Sequence, residues 1–214
     1  TMTAIDMNGN SSNANATLII LDTLAPTVLS QNVTAYLDPS GAASISAAQA
    51  DNGSHDNCGI DTMYLSQSEF DCADTGAQAI TLYVQDFSGN VDSSLLNVII
   101  EDTTSPALLI QSQTIYLDQA GLVSLSPSQL DNGTYDNCAI DTMYLDQYQF
   151  TCADTGLQTV QFTAVDVSGN SSSAWVNVYV QDTISPTLLA SDSLEVFLAS
   201  NGEIELDTNM FDLG

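Results

Sequence analysis

The sequence predicts an all-β chain built of tandem Ig-like β-sandwich repeats, arranged end to end as a rod. Three observations carry this expectation. Apolar residues alternate with polar ones over many short runs, the period of a half-buried strand. Gly, Asn and Asp punctuate those runs at intervals of about 8–12 residues, as turns between sandwich strands do. The whole pattern then returns at one fixed interval, the distance from Asp22 to Asp102 and again from Asp102 to Asp182, the mark of a repeat architecture.

The period is read from two motifs. DMNGN (Asp6–Asn10), DFSGN (Asp86–Asn90) and DVSGN (Asp166–Asn170) keep it. So do DTLAP, DTTSP and DTISP, beginning at Asp22, Asp102 and Asp182. These define residues 1–22 as the C-terminal part of a repeat, 23–102 and 103–182 as complete repeats, and 183–214 as the N-terminal part of a further one. Half a sandwich cannot bury its core, so the chain reads as a window on a longer array.

Within a repeat the elements follow in order. TIYLD (Thr114–Asp118) and VSLS (Val123–Ser126) flank a QAG turn. IDTMYL follows the acidic loop in both repeats, with Met63, Tyr64, Met143 and Tyr144 as plain strand residues. AITLYVQD places Ile80, Leu82 and Val84 on one face, and Val160, Phe162 and Ala164 match them. After the SGN turn, Leu96, Val98 and Ile100 point inward, matched by Val176, Val178 and Val180. No amphipathic helix is expected. A repeat of this length is small for a sandwich, so cross-links and bound ions would supplement its core.

Composition narrows the function classes. The 214 residues carry 27 acidic groups, one His and no Lys or Arg, for a net charge of −27. Nucleic-acid binding requires cationic side chains against phosphate, and anionic membrane surfaces require the same. Neither partner is expected, nor direct membrane insertion, since no apolar run approaches the ~20 residues of a span. Hydrophobic residues make up 44% of the chain, enough for folded domains rather than disorder. A compact chain of one sign repels itself, and only solution cations can neutralise it.

Aspartates in Gly/Asn-rich loops suit hard cations, and Ca²⁺ takes oxygen ligands of this kind. The loops are DNGSHDNCGID (Asp51–Asp61) and DNGTYDNCAID (Asp131–Asp141). A sandwich entered at the end that carries these loops would bring the preceding junction aspartate to them. The expected clusters are Asp22 with Asp51, Asp56 and Asp86, and Asp102 with Asp131, Asp136 and Asp166. Asp6 and Asp182 hold the same positions in the flanking part-repeats. The alternatives are a hairpin turn alone for D-x-S-G-N, and a solvated acidic loop without metal. The loop of an EF-hand is absent, so any site is assembled from several segments.

The four cysteines, Cys58, Cys72, Cys138 and Cys152, fall two to a repeat at equal spacing. One disulfide per repeat is the simple reading and implies an oxidising, extracytoplasmic setting; buried free thiols are the alternative. Catalysis is not expected. His55 becomes Tyr135 in the next repeat, so it is read as a loop side chain rather than a base. Trp175 is read as packing.

At these residues the chain resembles a known family. YLD, DNG–D-C-I, F-C—G, D–GN and DT–P in tandem look like the hyaline-repeat (HYR)-like, immunoglobulin-like modules of large secreted Bacteroidota surface adhesins and filaments. The resemblance implies an extracellular or cell-surface location, secretion by a dedicated system and calcium at the junctions. It further implies O-glycosylation at Asp-Ser/Thr sites, here Thr23, Thr62, Thr103, Thr142, Thr183 and Ser193.

The resulting expectation is a non-enzymatic stalk or filament segment of tandem Ig-like repeats. Its partners would be neighbouring repeats of one long chain, laterally associated copies in a fibre, and surface polysaccharide. The rival readings are a polysaccharide-binding module, with Trp175 and Tyr179 as the place to look, and an accessory domain of a secreted enzyme.

Overall fold

The computed structural model describes residues 1–187 together with Ser200 and Glu203. A short exposed hairpin comes first: β1 (Met2–Ile5) pairs antiparallel with β2 (Ser11–Ala14) across the DMNGN turn. The first full repeat then supplies β3 (Val33–Tyr36), β4 (Ala42–Ser44), the single helical turn α1 (Ala47–Ala50), β5 (Ile60–Leu65), β6 (Glu69–Asp71), β7 (Gly76–Asp86) and β8 (Val91–Glu101). The second repeats the order as β9 (Gln113–Tyr116), β10 (Leu122–Ser124), α2 (Pro127–Leu130), β11 (Ile140–Leu145), β12 (Gln149–Thr151), β13 (Gly156–Asp166) and β14 (Ser171–Gln181).

Each repeat is an Ig-like sandwich. One sheet has four strands in the order β3-β8-β7-β5, and in the second repeat β9-β14-β13-β11. The other is the two-stranded pair β4-β6, or β10-β12. The first strand runs parallel to the last in both, with Val33 opposite Val98 and Gln113 opposite Val178. Parallel neighbours cannot be joined by a hairpin, so the intervening strands must cross to the second sheet and back. That crossing encloses the core.

The core follows from the alternation. Ile80, Leu82 and Val84 of β7 and Leu96, Val98 and Ile100 of β8 are buried, facing Phe70 of β6 and Ala43 of β4. Val160, Phe162, Ala164, Val176, Val178 and Val180 are buried at the equivalent positions, with Phe150 on β12. Both inward-facing sets are those that the two-residue period predicts.

Two features differ from the sequence expectation. A helical turn sits at Ala47–Ala50 and Pro127–Leu130, too short for any helical period to register. Its start is capped locally: Gln49 Oε1 accepts from Ser46 N at 2.8 Å, and Gln129 Oε1 from Ser126 N at 2.8 Å, the return half of a capping box. The three-residue β6 and β12 were also not predicted; each buries one side chain, Phe70 or Phe150, and one residue shows no alternation.

The described chain forms two compact units. One comprises Thr1–Leu108, Thr134–Thr142 and Ala164–Ser172; the other comprises Leu109–Gly133, Met143–Thr163 and the chain from Ser173. The division does not follow the sequence period, because the acidic loop of the second repeat from Thr134 onward and its SGN hairpin belong to the first unit. Of the further repeat expected over residues 183–214, all beyond Thr187 except Ser200 and Glu203 lies outside the described residues.

Truncating a fully buried strand residue tests this core. Leu82→Ala, at 0% exposure, is expected to cost about 3–5 kcal/mol. Leu95→Ala on the outward face of β8, where Leu95 is 72% exposed, is expected to change stability by about 0.5 kcal/mol or less. Urea unfolding midpoints compare the two.

Candidate metal centres at the repeat junction

Three chain segments meet beside Asp102. The junction segment DTTSP supplies Asp102 itself, the acidic loop supplies Asp136, and the turn between β13 and β14 supplies Asp166. One carboxylate oxygen from each lies within 4.8 Å of the others. Asp22, Asp56 and Asp86 form the same arrangement at the equivalent positions one repeat earlier, within the same limit. All six belong to the first compact unit.

Local hydrogen bonds fix each acid. Asp166 closes its own hairpin: Oδ1 accepts from Ser168 N at 2.9 Å and Asn170 N at 2.8 Å, and Oδ2 from Asn170 Nδ2 at 2.9 Å. Gly169 takes φ +91° there, a conformation costly to any residue with a Cβ. Asn170 Nδ2 also donates to the Asp102 carbonyl at 3.0 Å, which ties hairpin to junction. Asp102 Oδ1 accepts from Thr104 N at 3.0 Å and Asn137 Nδ2 at 3.2 Å, and Oδ2 from Ser168 Oγ at 3.3 Å. Asp136 Oδ2 accepts from Cys138 N at 3.0 Å. The first cluster is held alike. Asp86 Oδ1 accepts from Ser88 N at 2.9 Å and Asn90 N at 2.8 Å, and Asn90 Nδ2 reaches the Asp22 carbonyl at 3.2 Å. Asp56 Oδ2 accepts from Cys58 N at 2.7 Å.

Hydrogen bonds do not satisfy every oxygen. Asp22 Oδ2, Asp136 Oδ1 and Asn137 Oδ1 are buried without a partner. Buried acceptors of this kind are uncommon in native proteins. Like charges about 4 Å apart near a protein surface repel by roughly 4 kcal/mol, less with salt screening, and this chain has no Lys or Arg to answer them. Clustered carboxylate oxygens, some lacking any donor, fit a hard oxygen-seeking cation such as Ca²⁺.

The titration behaviour agrees. Burial pushes the Asp136 carboxyl up, and the charges of Asp102 and Asp166 push it further, against the hydrogen bond from Cys138 N. Burial also works to raise Asp86, but hydrogen bonds from the Asn90 side chain and from backbone NH groups outweigh it, and Asp86 is lowered. The Cys58 thiol is raised, chiefly by the neighbouring Asp22 carboxylate, then by desolvation and by the charges of Asp56 and Asp86.

Not every acid singled out in the sequence joins a cluster. Asp51 instead caps its own loop, accepting from Ser54 N at 2.9 Å and Gly53 N at 3.2 Å. Asp131 holds the equivalent place, bridged through its backbone to Ile110. Both stand earlier in the loop than Asp56 and Asp136, and neither joins a cluster. Asp6 closes an exposed hairpin turn, and Asp182 accepts from Ile184 N at 3.0 Å. Neither belongs to a cluster among the described residues.

The cysteine pairing differs from the expected one. The structure bonds Cys72 to Cys138, 66 residues apart, and leaves Cys58 and Cys152 as exposed free thiols. The disulfide therefore joins one repeat to the next instead of closing each repeat upon itself. Cys138 comes from the loop that carries Asp136. Its neighbour Asn137 donates to the Asp38 carbonyl at 3.1 Å and to Asp102 at 3.2 Å. Gly41, at φ +78°, makes room: a Cβ there would lie 2.7 Å from the Asn137 carbonyl oxygen and 2.8 Å from Cys72 Sγ. Sequence reading missed Asn137 and Gly41, although the "DNC" and "YLD–G" patterns that carry them do recur.

Other singled-out residues are on the surface. His55 is exposed and bridges through its backbone to Thr27, the place that Tyr135 takes beside Ala107. Trp175 is 63% exposed and so is not a packing residue; with Tyr179 it lies on the outward face of β14. Thr23, Thr62, Thr103, Thr142 and Thr183 are exposed, and Ser193 lies outside the described residues.

No family model matches the chain, and no curated protein matches it. Among solved structures it is similar to human protocadherin-24 EC1-2, with 14% identity over 76% of this chain and 100% of that one, at a TM-score of 0.41. It is also similar to Drosophila N-cadherin EC1-4 (12% identity, 74% of this chain and 50% of that one, TM-score 0.38). A third is protocadherin gamma B7 extracellular cadherin domains 1-4 (13%, 74% and 51%, TM-score 0.36). The chain spans about half the length of the last two. Likeness of this degree carries no argument about ligand or partner.

Two outcomes test the geometry. Cross-linking residues 66 apart should be worth up to roughly 4 kcal/mol by loop closure; Cys138→Ser is expected to lower the denaturation midpoint, and Cys58→Ser to leave it unchanged. The second is a pH dependence. A carboxyl raised by folding binds its proton more tightly in the folded chain. Its stabilising contribution is full below the ordinary value of 3.8 and is lost as pH rises through the raised one. The lowered carboxyl of Asp86 acts oppositely, losing its contribution only as pH falls below the ordinary range. In chelator, therefore, stability is expected to decline as pH rises just above the ordinary carboxylate range. Asp136→Asn is expected to remove that decline, read from urea midpoints across the window.

Proposed function

We propose that this chain is a non-catalytic structural segment of an extracellular repeat protein, a stalk or filament of a surface adhesin. Successive Ig-like repeats run end to end, and calcium and a disulfide hold each junction rigid. One observation carries the reading: Asp102, Asp136 and Asp166 converge from three segments at the point where one repeat passes into the next. The Cys72–Cys138 bond ties the same loop to the preceding repeat.

Each part contributes differently to stiffness. The disulfide limits how far the loop can move from the preceding repeat but leaves rotation about its own bonds. A cation bound by all three aspartates would remove much of that freedom, because its ligands come from the junction, the loop and the hairpin together. Pro106, buried just after the junction, fixes one backbone dihedral of the connection. The resemblance of the motifs to HYR-like adhesin repeats supports an extracellular setting, as does a disulfide. Without Lys or Arg, such a rod offers trypsin-like proteases no cleavage site.

Calcium removal tests the reading. A ligand present at a hundred times its Kd stabilises the form it binds by about 2.7 kcal/mol. For a chain of this size that corresponds to a rise in melting temperature of roughly 5–10 °C. Adding Ca²⁺ to chelator-treated protein is expected to raise Tm by that order, and Asp136→Asn to reduce the gain. An unchanged Tm, with no Ca²⁺ taken up, contradicts the proposal.

A further inference from the structure

The second repeat carries a cleft that matches the place where Cys138 is held, but here the cysteine is free. The cleft encloses ≈ 530 Å³ and is lined by Asp118, Gly121, Cys152, Asp182 and Pro186, among others. Its counterparts at the same positions of the first repeat are Asp38, Gly41, Cys72, Asp102 and Pro106. There a loop is seated. Cys72 is bonded to Cys138, and Asn137 Nδ2 donates to the Asp38 carbonyl at 3.1 Å and to Asp102 Oδ1 at 3.2 Å.

The cleft beside Cys152 keeps the same build. Gly121 adopts φ +74°, close to the +78° of Gly41, and a Cβ there would lie 2.6 Å from Cys152 Sγ. Asp118 Oδ1 accepts from Ala120 N at 2.9 Å and Leu122 N at 3.0 Å. Asp38 folds its turn in the same way, accepting from Ser40 N at 2.8 Å and Ala42 N at 3.1 Å. Exposure separates the two. Cys72 is half-buried and Asp102 is buried, whereas Cys152 and Asp182 are exposed. On the donor side, Asn137 and Cys138 are half-buried, whereas Asn57 and Cys58 of the equivalent loop are exposed. Coverage thus tracks pairing on both sides.

We propose that the Cys152 cleft is a docking site for the Asp-Asn-Cys loop of a further repeat of this type, locked by a disulfide from Cys152. The loop's asparagine amide would donate to the Asp118 carbonyl and to Asp182, as Asn137 does to Asp38 and Asp102. Each repeat then offers two distinct half-sites: an Asp-Asn-Cys loop that inserts, and a glycine-floored cysteine that receives. Two unlike half-sites join repeats head to tail, as heterologous contacts do. The inference rests on the reading that repeats follow one another, but its readout does not depend on calcium.

Thiol–disulfide exchange on the 214-residue chain provides the test. The probe is the peptide of residues 131–141, DNGTYDNCAID, with Cys138 as its mixed disulfide with glutathione. The Cys152 thiolate attacks the Cys138 sulfur, a new sulfur–sulfur bond forms, and glutathione leaves as the thiolate, with no external oxidant. Two control peptides carry Asn137→Ala or the same residues in scrambled order. Cys58, which lies in an Asp-Asn-Cys loop rather than in the receiving position, is the internal control. Peptide mapping after chymotrypsin reads both sites.

The expected result is modification of Cys152 at least tenfold faster by the native peptide than by either control, with no such preference at Cys58. Equal rates with all three peptides at Cys152, or the same preference at Cys58, overturn the proposal. Failure here with a normal calcium-dependent Tm would leave the proposed function standing; the reverse would remove the calcium and keep the docking site.

Discussion

Everything at the repeat junction depends on one electrostatic constraint: three carboxylates each bring an oxygen within 4.8 Å of the others in a chain that has no Lys or Arg. Folding concentrates charge that the unfolded chain would disperse. The fold tolerates this through two provisions. Backbone NH groups and asparagine amides point at most of the carboxylate oxygens, which lowers the cost of holding them. The oxygens left without donors, on Asp22 and Asp136, then define where a bound cation gains most. The buried core is built from side chains that take no part in the clusters.

The covalent and electrostatic elements of the junction use the same loop. Asp136, Asn137 and Cys138 are consecutive, and each meets a different partner: the acid cluster, the Asp38 and Asp102 pair, and Cys72. A single loop therefore sets three constraints at once. Small displacements of that loop disturb all three, so the disulfide and the acid cluster are expected to be coupled, and double-mutant analysis of the two would show non-additivity.

The strands were legible in the sequence because their signal is local and repeated. Leu82 and Phe162 fall on inward faces that alternation alone assigns. The junction aspartates were partly legible, since Asp56 and Asp136 recur in a chain without Lys or Arg. Asp51 and Asp131 recur just as faithfully, yet neither joins a cluster. Recurrence cannot distinguish a residue that binds from one that supports, because both are needed in every repeat. The disulfide shows the same limit more sharply. Cys72 follows Cys58 within its own repeat and precedes Cys138 of the next by 66 residues. The spacing from Cys58 to Cys72 returns between Cys138 and Cys152, so recurrence favours a pairing within each repeat, which the structure does not adopt. What decides is three-dimensional: Gly41 opens a cradle beside Cys72, and the loop of the next repeat reaches into it. The helical turns at Ala47 and Pro127 were hidden because a single turn has no period.

The central claim is that the clustered carboxylates are cation sites. Isothermal titration of Ca²⁺ into chelator-stripped protein measures this directly. The two clusters predict two bound ions per chain, and Asp136→Asn should abolish one site while sparing the other. Absence of saturable heat, or a stoichiometry unaffected by Asp136→Asn, would contradict the account.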